Sequence, residues 1–430
     1  MSAPLKIGIA GLGTVGAGVV KLLAEHNKLL AVRGGRPIQV VAVSARAKNK
    51  KRGIDLKGIR WETDPLKLAS AKDIDVVVEL IGGSEGVAKK LIDTAIANGK
   101  HVVTANKALL AMHGAAVAAA AEKKGVTVAF EAAVAGGIPI IKALREGLVG
   151  NKVRRLYGIL NGTCNYILTT MRETGRDFGA VLAEAQAAGY AEADPSFDVD
   201  GIDAAHKLAV LTGAAFGAKV NFKGVHVEGI RHVSAMDIEF AGTLGYRIKL
   251  LGLARETPHG IEQRVHPCMV PLDAPIAHIE GVFNAVVIEG DFVGTTMFQG
   301  RGAGQGPTAS AVVADLVDIA RGRSMPTFVV PAKQLTDRPA APMDRHVGAY
   351  YMRLMVQDRP GVIAAVSSVL AKQQISLESM LQRGRSPSDK VPVVLTTHEN
   401  EEAAMRRAAK AIGRLDAVVD EPCLIRIEKF

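Results

Sequence analysis

The chain has 430 residues, 48% of them hydrophobic and 4% aromatic, with 53 Lys and Arg against 43 Asp and Glu for a net charge of +10. That length predicts two or three domains, and the scattered basic residues without interleaved aromatics exclude a base-stacking nucleic-acid surface. Cys164, Cys268 and Cys423 are too dispersed for a disulfide framework or a zinc signature, and no apolar run is long enough to cross a bilayer. MSAPLKIGIAG enters a strand at once, so a cytoplasmic soluble protein with neither nucleic acid nor membrane as partner is expected.

Short β-branched runs at 5–10 (LKIGIA), 38–44 (IQVVAVS), 75–80 (DVVVEL), 101–105 (HVVTA) and 126–131 (VTVAFE) alternate with alanine-rich helical segments. Near-continuous apolar strands between helices predict a parallel sheet covered on both faces. Residues 1–135 are thus read as α/β, a Rossmann-type doubly wound parallel sheet. The helical stretch PTASAVVADLVDIARG (307–322) is expected to dock back on it, which adds 305–325 to this first domain.

Gly136, Gly137 and Pro139 break the pattern, and a helix-like IIKALREGL follows. Helices over 180–188, 202–216 and 241–251 and strands at IEQRVHPCMV and NAVVIEG predict an α+β domain for substrate binding and oligomerisation over 136–304. Residues 331–347 carry Pro331, Pro339 and Pro342 without a sustained apolar period, which is linker chemistry. Residues 348–430 read as β-α-β-β-α-β, the ferredoxin-like order, large enough to fold alone.

GLGTVG places Gly11, Gly13 and Gly16 in G-x-G-x-x-G spacing between a strand and a helix, the context a dinucleotide site requires. Gly11 permits the tight turn, Gly13 lets the backbone approach the pyrophosphate, and Gly16 allows close packing. The helix opening at Thr14 and Val15 offers free amides and partial positive charge to the phosphates. The second strand ends in Ser44 and Arg46 with no acid, and Arg46 with a nearby lysine suits a 2′-phosphate. NADP(H) is therefore favoured, with NAD(H) as the alternative. The run RAKNKKR (46–52), alone, reads equally as a solvated loop.

Four further stretches stand at strand ends or helix starts: VVTANKALLA (102–111), FEAAVAGGIPIIKALREGL (130–148), GILNGTCNYIL (158–168) and GYAEADPSFDVDGIDAAHKL (189–208). Together with GLGTVGAG they closely resemble homoserine dehydrogenase, and DRPGV (358–362) with its surroundings resembles an ACT-type regulatory module. The resemblance covers essentially the whole chain. It implies reversible reduction of L-aspartate 4-semialdehyde to L-homoserine with a nicotinamide cofactor, on the route to threonine, methionine and isoleucine.

The resemblance also implies residues. Glu192, Asp203 and Lys207 form the substrate and catalytic group, and Lys107 lies between cofactor and substrate. Glu131, Val134, Gly136 and Ile138 match a segment that binds a monovalent cation, Na or K, mostly through carbonyls. Gly189 and Glu192 border the cofactor, as does the FQGRGAGQGPTAS loop through Gly304. Asp358 and Gly361 are the effector residues, with threonine as the expected inhibitor, and a homodimer or homotetramer is expected.

Aldehyde reduction needs a hydride and a proton on the nascent alkoxide, and a lysine of lowered pKa can stabilise and protonate that oxygen. The substrate ammonium needs carboxylates, which Glu192, Asp203 and the nearby Asp198 can supply. On a helix starting near Asp200, Asp203 and Lys207 share a face at i and i+4. The bland alternative makes Asp200 an N-cap, Asp203 part of a capping box, and Asp203–Lys207 a surface pair. Lys107 could be a solvated loop lysine, Glu131 a plain buried carboxylate, and the C-terminal module purely oligomerising. His206 and His101 read as structural, and Cys164 as a small apolar group. A dehydrogenase for another small aldehyde, and a non-catalytic amino-acid sensor, are the competing functions.

Overall fold

Six strands, β1 (Leu5–Ala10), β2 (Ile38–Ser44), β3 (Arg60–Glu62), β4 (Val76–Glu79), β5 (His101–Thr104) and β6 (Val128–Ala129), form one parallel sheet in the order β3-β2-β1-β4-β5-β6. This computed structural model describes residues 3–382 and 390–430. The order reverses between β1 and β4, the switch point where open α/β sheets bind ligands at their carboxyl ends. Apolar residues cover both faces: Ile7, Ile9, Val76 and Val78 on one, Ala10, Ala42, Val77 and Val102 on the other. Helix Gln305–Ala320 returns to the first face and packs against helix Thr14–Glu25. The contact is close, since a Cβ on Gly18 would lie 2.9 Å from the Gln305 carbonyl.

The remaining strands join a second, mixed sheet. In chain order they are β7 (Val153–Ile159), β8 (His226–Val227), β9 (Tyr246–Thr257), β10 (Gly260–Pro271), β11 (Phe283–Gly290), β12 (Gly294–Arg301), β13 (Val347–Gln357), β14 (Leu377–Gln382), β15 (Lys390–Thr397), β16 (Asn400–Glu401) and β17 (Cys423–Ile427). The main path runs β12-β11-β7-β9-β10-β17-β13-β15-β14. Its last four members carry the ferredoxin-like arrangement, with helices Val362–Lys372 and Glu402–Ile412 between them. That subsheet joins the central one through parallel pairing of β10 with β17, Cys268 opposite Arg426 and Met269 opposite Ile427.

The structure departs from the expectations at three places. Residues 241–251 are not a helix: helix Ala235–Thr243 ends, Gly245 turns at φ +83°, and β9 begins at Tyr246. An apolar run next to a glycine turn suits a buried strand as well as a helix. The short β3 has no counterpart among the expected strands. The segment 331–347 carries turns at Ala332–Gln334 and Met343–Arg345 and pairs with the middle domain through Ala218–Thr336 and Ile261–Ala340 bridges. Arg383 and Gly384, at the end of the run ISLESMLQRG, lie outside the described residues.

Candidate active site

Helix Ile202–Phe216 starts after Gly201, whose φ of +83° turns the chain out of the one-turn helix Ser196–Val199. Residues Asp203 through Ala214 are all buried, so Asp203 and Lys207 face an enclosed space and not water. Asp200 does not cap this helix; it pairs with Arg231. The surface-pair alternative for Asp203–Lys207 is excluded by burial, with side-chain exposures of 5% and 9%.

Asp203 is the hub. Its Oδ2 accepts from Lys207 Nζ at 2.7 Å and from Asn161 Nδ2 at 2.9 Å, while Oδ1 lies 2.8 Å from Lys107 Nζ. Lys207 Nζ also donates to the Leu160 carbonyl at 2.8 Å, which leaves one N–H of the ammonium for another acceptor. Asn161 reaches the Asp198 Oδ1 at 2.8 Å and caps helix Gly162–Thr174 through the Cys164 amide at 2.8 Å. One asparagine thus fixes both acids.

Burial by itself would raise the Asp203 carboxyl, but Lys207 and Lys107 hold it well below the usual carboxylate range. Lys207 is lowered from its ordinary value, chiefly by burial and further by Lys107, with Asp203 opposing. Asp198 is raised by burial and by the Asp203 charge. A lysine lowered by burial and held by a fixed carboxylate is poised to exchange a proton with a bound group.

Lys107 begins helix Lys107–Lys124 at the carboxyl end of β5. Asn106 caps that helix through the Leu109 amide at 3.0 Å and also donates to the Gly83 carbonyl at 2.8 Å. Glu79, fully buried at the end of β4, accepts from the Ile81 and Gly82 amides and from Thr104 Oγ1 at 2.6 Å. These bonds tie the β4 and β5 loops together and aim Lys107 across the domain boundary.

A cavity of about 430 Å³ lies between the two sheets, lined by Lys107, Asn161, Asp198, Asp203, Lys207 and Arg301, with Gly189 and Gly304 at its edge. Gly304, at φ +118°, is the uncapped start of helix Gln305–Ala320. Glu192 is exposed and stands outside the lining, two residues past Tyr190. Asn284 is 1% exposed, lines the cavity, and its Oδ1 has no partner among the described residues. Asn284, Arg301 and the Asn161 side chain were not singled out in the sequence. Asn161 had a signal, an asparagine at a helix start, whereas Asn284 lies in an apolar strand with none. His206 packs between Phe197 and Phe222, 5.6 and 4.2 Å between ring centres. Cys164 is fully buried and donates to the Asp198 carbonyl.

The glycine loop divides its labour by space. A Cβ on Gly11 would stand 2.4 Å from the Leu80 carbonyl and one on Gly16 2.0 Å from the Gly11 carbonyl, so both are demanded by packing. Above Gly13 nothing lies within 4 Å, and no side chain caps the helix that opens at Thr14 and Val15. Amides facing open space suit a pyrophosphate. Arg46 is exposed just beyond β2, in a loop folded by Arg52, which donates to the Leu12 and Ala47 carbonyls and lies over Trp61.

Glu131 is buried beneath this boundary. Its two carboxylate oxygens accept from the Ile141 and Lys142 amides at 2.9 and 2.8 Å, and burial together with Asp315 pushes its pKa up to about 7. Val134 and Ile138 are buried, and Gly136 sits at φ +54° against the Gly302 carbonyl. The Ile138 carbonyl accepts from the Ile140 amide at 2.8 Å. Asp358 and Gly361 occupy the turn after β13, with Gly361 at φ +90° as the uncapped start of helix Val362–Lys372.

Comparison with known proteins bears on this arrangement. A family described as homoserine dehydrogenase matches residues 139–317, its NAD-binding domain 11–131, and an ACT domain 350–416. A homoserine dehydrogenase of Pseudomonas aeruginosa is 48% identical, with 99% of each chain covered. The crystal structure of a homoserine dehydrogenase from Thiobacillus denitrificans is 47% identical, with a TM-score of 0.94 over 99% of this chain and 98% of that one. A hyperthermophilic archaeal homoserine dehydrogenase in complex with NADPH is 27% identical, with a TM-score of 0.64 over 75% of this chain and 99% of that one.

Proposed function

Because the chain belongs to the homoserine dehydrogenase family and is an NAD(P)-dependent oxidoreductase, we propose that it reduces L-aspartate 4-semialdehyde to L-homoserine with Lys207 as proton donor. The observation that carries the assignment of residues is the cluster of buried Asp203 and Lys207 with half-buried Lys107 lining the cavity. When bound, the nicotinamide supplies the hydride. Lys207 donates its third N–H to the aldehyde oxygen, stabilises the negative charge there and releases the proton to it; water replaces that proton afterwards.

Asp203 holds Lys107 and Lys207 in place, and its oxygens are already engaged. The substrate ammonium therefore goes first to Asp198, whose Oδ1 accepts from Asn161 and which gains ionisation from a cation beside it. Glu192, near Gly189 at the rim, serves as its outer partner. The substrate carboxylate lies toward Arg301 and the unpartnered Asn284 side of the cavity.

The Gly11, Gly13, Thr14, Val15 and Gly16 backbone holds the pyrophosphate, and Gly189 and Gly304 border the nicotinamide end. Arg46, with no acid at the end of β2, favours NADP. The Glu131 carboxyl and the carbonyls of Val134, Gly136 and Ile138 hold a monovalent cation, which braces the crossing between the domains. The turn at Asp358 and Gly361 takes threonine as a feedback effector, and the chain acts as a homo-oligomer in threonine, methionine and isoleucine synthesis. The test is one set of initial rates with L-homoserine and each cofactor, with and without threonine. Homoserine-dependent reduction of NADP, faster than of NAD, is expected; absence of turnover with a full substrate panel would leave the amino-acid sensor.

A further inference from the structure

We infer that Glu228, clamped by Arg426 from the last strand, is a positioning residue for the acidic turn that carries Asp198 and leads into Asp203. Only the kinetic arm of this inference rests on the proposed function.

The link starts in β17. Arg426 has a side-chain exposure of 4% and grips Glu228 with a full fork: Nη1 to Oε2 at 2.7 Å and Nη2 to Oε1 at 2.9 Å. Its Nε donates to Glu402 Oε2 at 2.8 Å, and Glu402 also accepts from the Tyr350 hydroxyl at 2.8 Å. The arginine is thereby fixed by the C-terminal domain before it meets Glu228. Further support for Glu228 comes from His226 Nε2 at 2.8 Å and Arg406 at 3.3 Å.

From Glu228 the contact passes through backbone. Its amide donates to the Val265 carbonyl at 2.8 Å, which holds it on β10, and Ile230 N donates to the Val199 carbonyl at 2.9 Å. Gly229 lies between these bonds, and a Cβ there would come within 2.3 Å of the Val199 carbonyl and 2.5 Å of Asp200 Cα. Residues 228–230 therefore press backbone to backbone on 199–200. On the other side of that contact are Asp198, then Gly201, the start of the helix bearing Asp203 and Lys207.

A one-turn helix such as Ser196–Val199 has little stability of its own, so its place is set by what it rests on. Asn161, Cys164 and Arg231 hold it from one side, and this strap holds it from beneath through the Val199 carbonyl. Glu228→Gln or Arg426→Lys breaks the fork, while Glu402 still holds the Arg426 position and His226 the Glu228 position, so what is lost is the fixed geometry of the backbone that Glu228 bears. A small displacement of Asp198 weakens its grip on the substrate ammonium while leaving the dinucleotide loop, on another sheet, untouched.

The experiment uses the full chain with Glu228→Gln, Arg426→Lys and the double variant. Arg426→Lys keeps the charge and loses the fork, so it remains informative if a larger change fails to fold. Each single variant is expected to raise the homoserine KM about tenfold with the NADP KM within about twofold, and the double variant is no worse than the worse single one, because both break one link. Amide exchange of 196–203, measured without substrate, is expected to accelerate about tenfold, with 5–25 unchanged. Additive effects, parallel changes in both KM values, or unchanged exchange of 196–203 would each overturn the inference. If the wild-type chain turned over no homoserine, the activity reading would fail, and the exchange rates would still decide the link.

Discussion

Asp203 and Lys207 stand one helical turn apart with Oδ2 and Nζ at 2.7 Å, both buried, and Lys107 closes on the other oxygen of the same carboxylate at 2.8 Å. Two ammoniums thus share one anion in a space with little water. Under the proposed mechanism the roles divide: the carboxylate orients, and the deeper lysine carries the proton. Lys207→Met should lower kcat by about a thousandfold, the range that a positioned acid or base supplies. NADP binding, measured by fluorescence titration, should stay within about twofold because Lys207 does not touch the glycine loop. Near-normal turnover in this variant would sink the assignment.

Direction of reaction should separate on a pH axis. Burial lowers the Lys207 pKa from its ordinary value, with Lys107 adding to the effect. Homoserine oxidation needs neutral Lys207 to accept the proton, so its rate should rise with pH and level off below the ordinary lysine range near about 10.4. Aldehyde reduction needs the protonated form and should fall over the same interval. Initial rates in both directions, with buffer ions matched, check this; identical profiles in the two directions would contradict it.

Asp203→Asn tests the hub. The carboxylate's pKa is depressed in the folded chain because Lys207 and Lys107 outweigh burial. Its stabilisation is therefore present above the unfolded pKa near about 3.9 and is lost as pH falls below that, toward the folded value. Removing it leaves the buried Lys207 ammonium without its anion and the half-buried Lys107 without its partner, and should cost about 3–5 kcal/mol at pH 7. Urea unfolding at pH 7 and pH 3 should show the gap between wild type and variant narrowing at the acidic end. The rising limb of homoserine oxidation should also move to lower pH, since Asp203 no longer favours charged Lys207.

How far the sequence reaches is visible in particular residues. GLGTVG was legible because each glycine answers a local demand: two to packing and one to open space. The parallel sheet was legible because buried strands must be apolar throughout. β3 was not, for RWE is three polar or bulky residues at a sheet edge, held by ion pairs from Arg60 to Glu62 and Asp73. Asp200 looked like a helix cap because its type and place fit one; Gly201 at positive φ took the turn, and Arg231 took the acid. Asn161 and Glu228 are held to partners 37 and 198 residues away, Asn284 lines the cavity from within an apolar strand, and spacing carries no trace of that.

The choice of phosphate at the adenosine end should rest on Arg46. It is exposed after β2, while Glu62, which lies opposite Ser44 in the neighbouring strand, is engaged with Arg60. Among the described residues, no unpaired acid therefore stands at the end of β2 to select a ribose hydroxyl. Arg46→Ala should raise the NADP KM by about tenfold, the size of one charge-assisted contact, and change the NAD KM by less than about twofold. Equal changes for both cofactors would mean that Arg46 shapes the loop and does not read the phosphate.

Glu131 makes the cation testable without any turnover. Burial, then the neighbouring Asp315, raise its carboxyl from 4.5 to about 7 in the folded chain. A group raised in this way stabilises fully below its unfolded pKa, and that contribution is lost as pH climbs through the folded value. At pH 8 the buried charge should thus cost up to about 3 kcal/mol relative to pH 4.5, because the folded chain holds that proton more tightly than the unfolded one. A monovalent cation held by Glu131, Val134, Gly136 and Ile138 would offset that cost only where Glu131 is ionised. Potassium or sodium chloride should therefore raise the melting temperature at pH 8 more than at pH 5, relative to tetramethylammonium chloride at equal ionic strength. Glu131→Gln should abolish the difference. A salt response that is the same at both pH values, or that survives the substitution, would show that the carboxyl is held by the Ile141 and Lys142 amides alone.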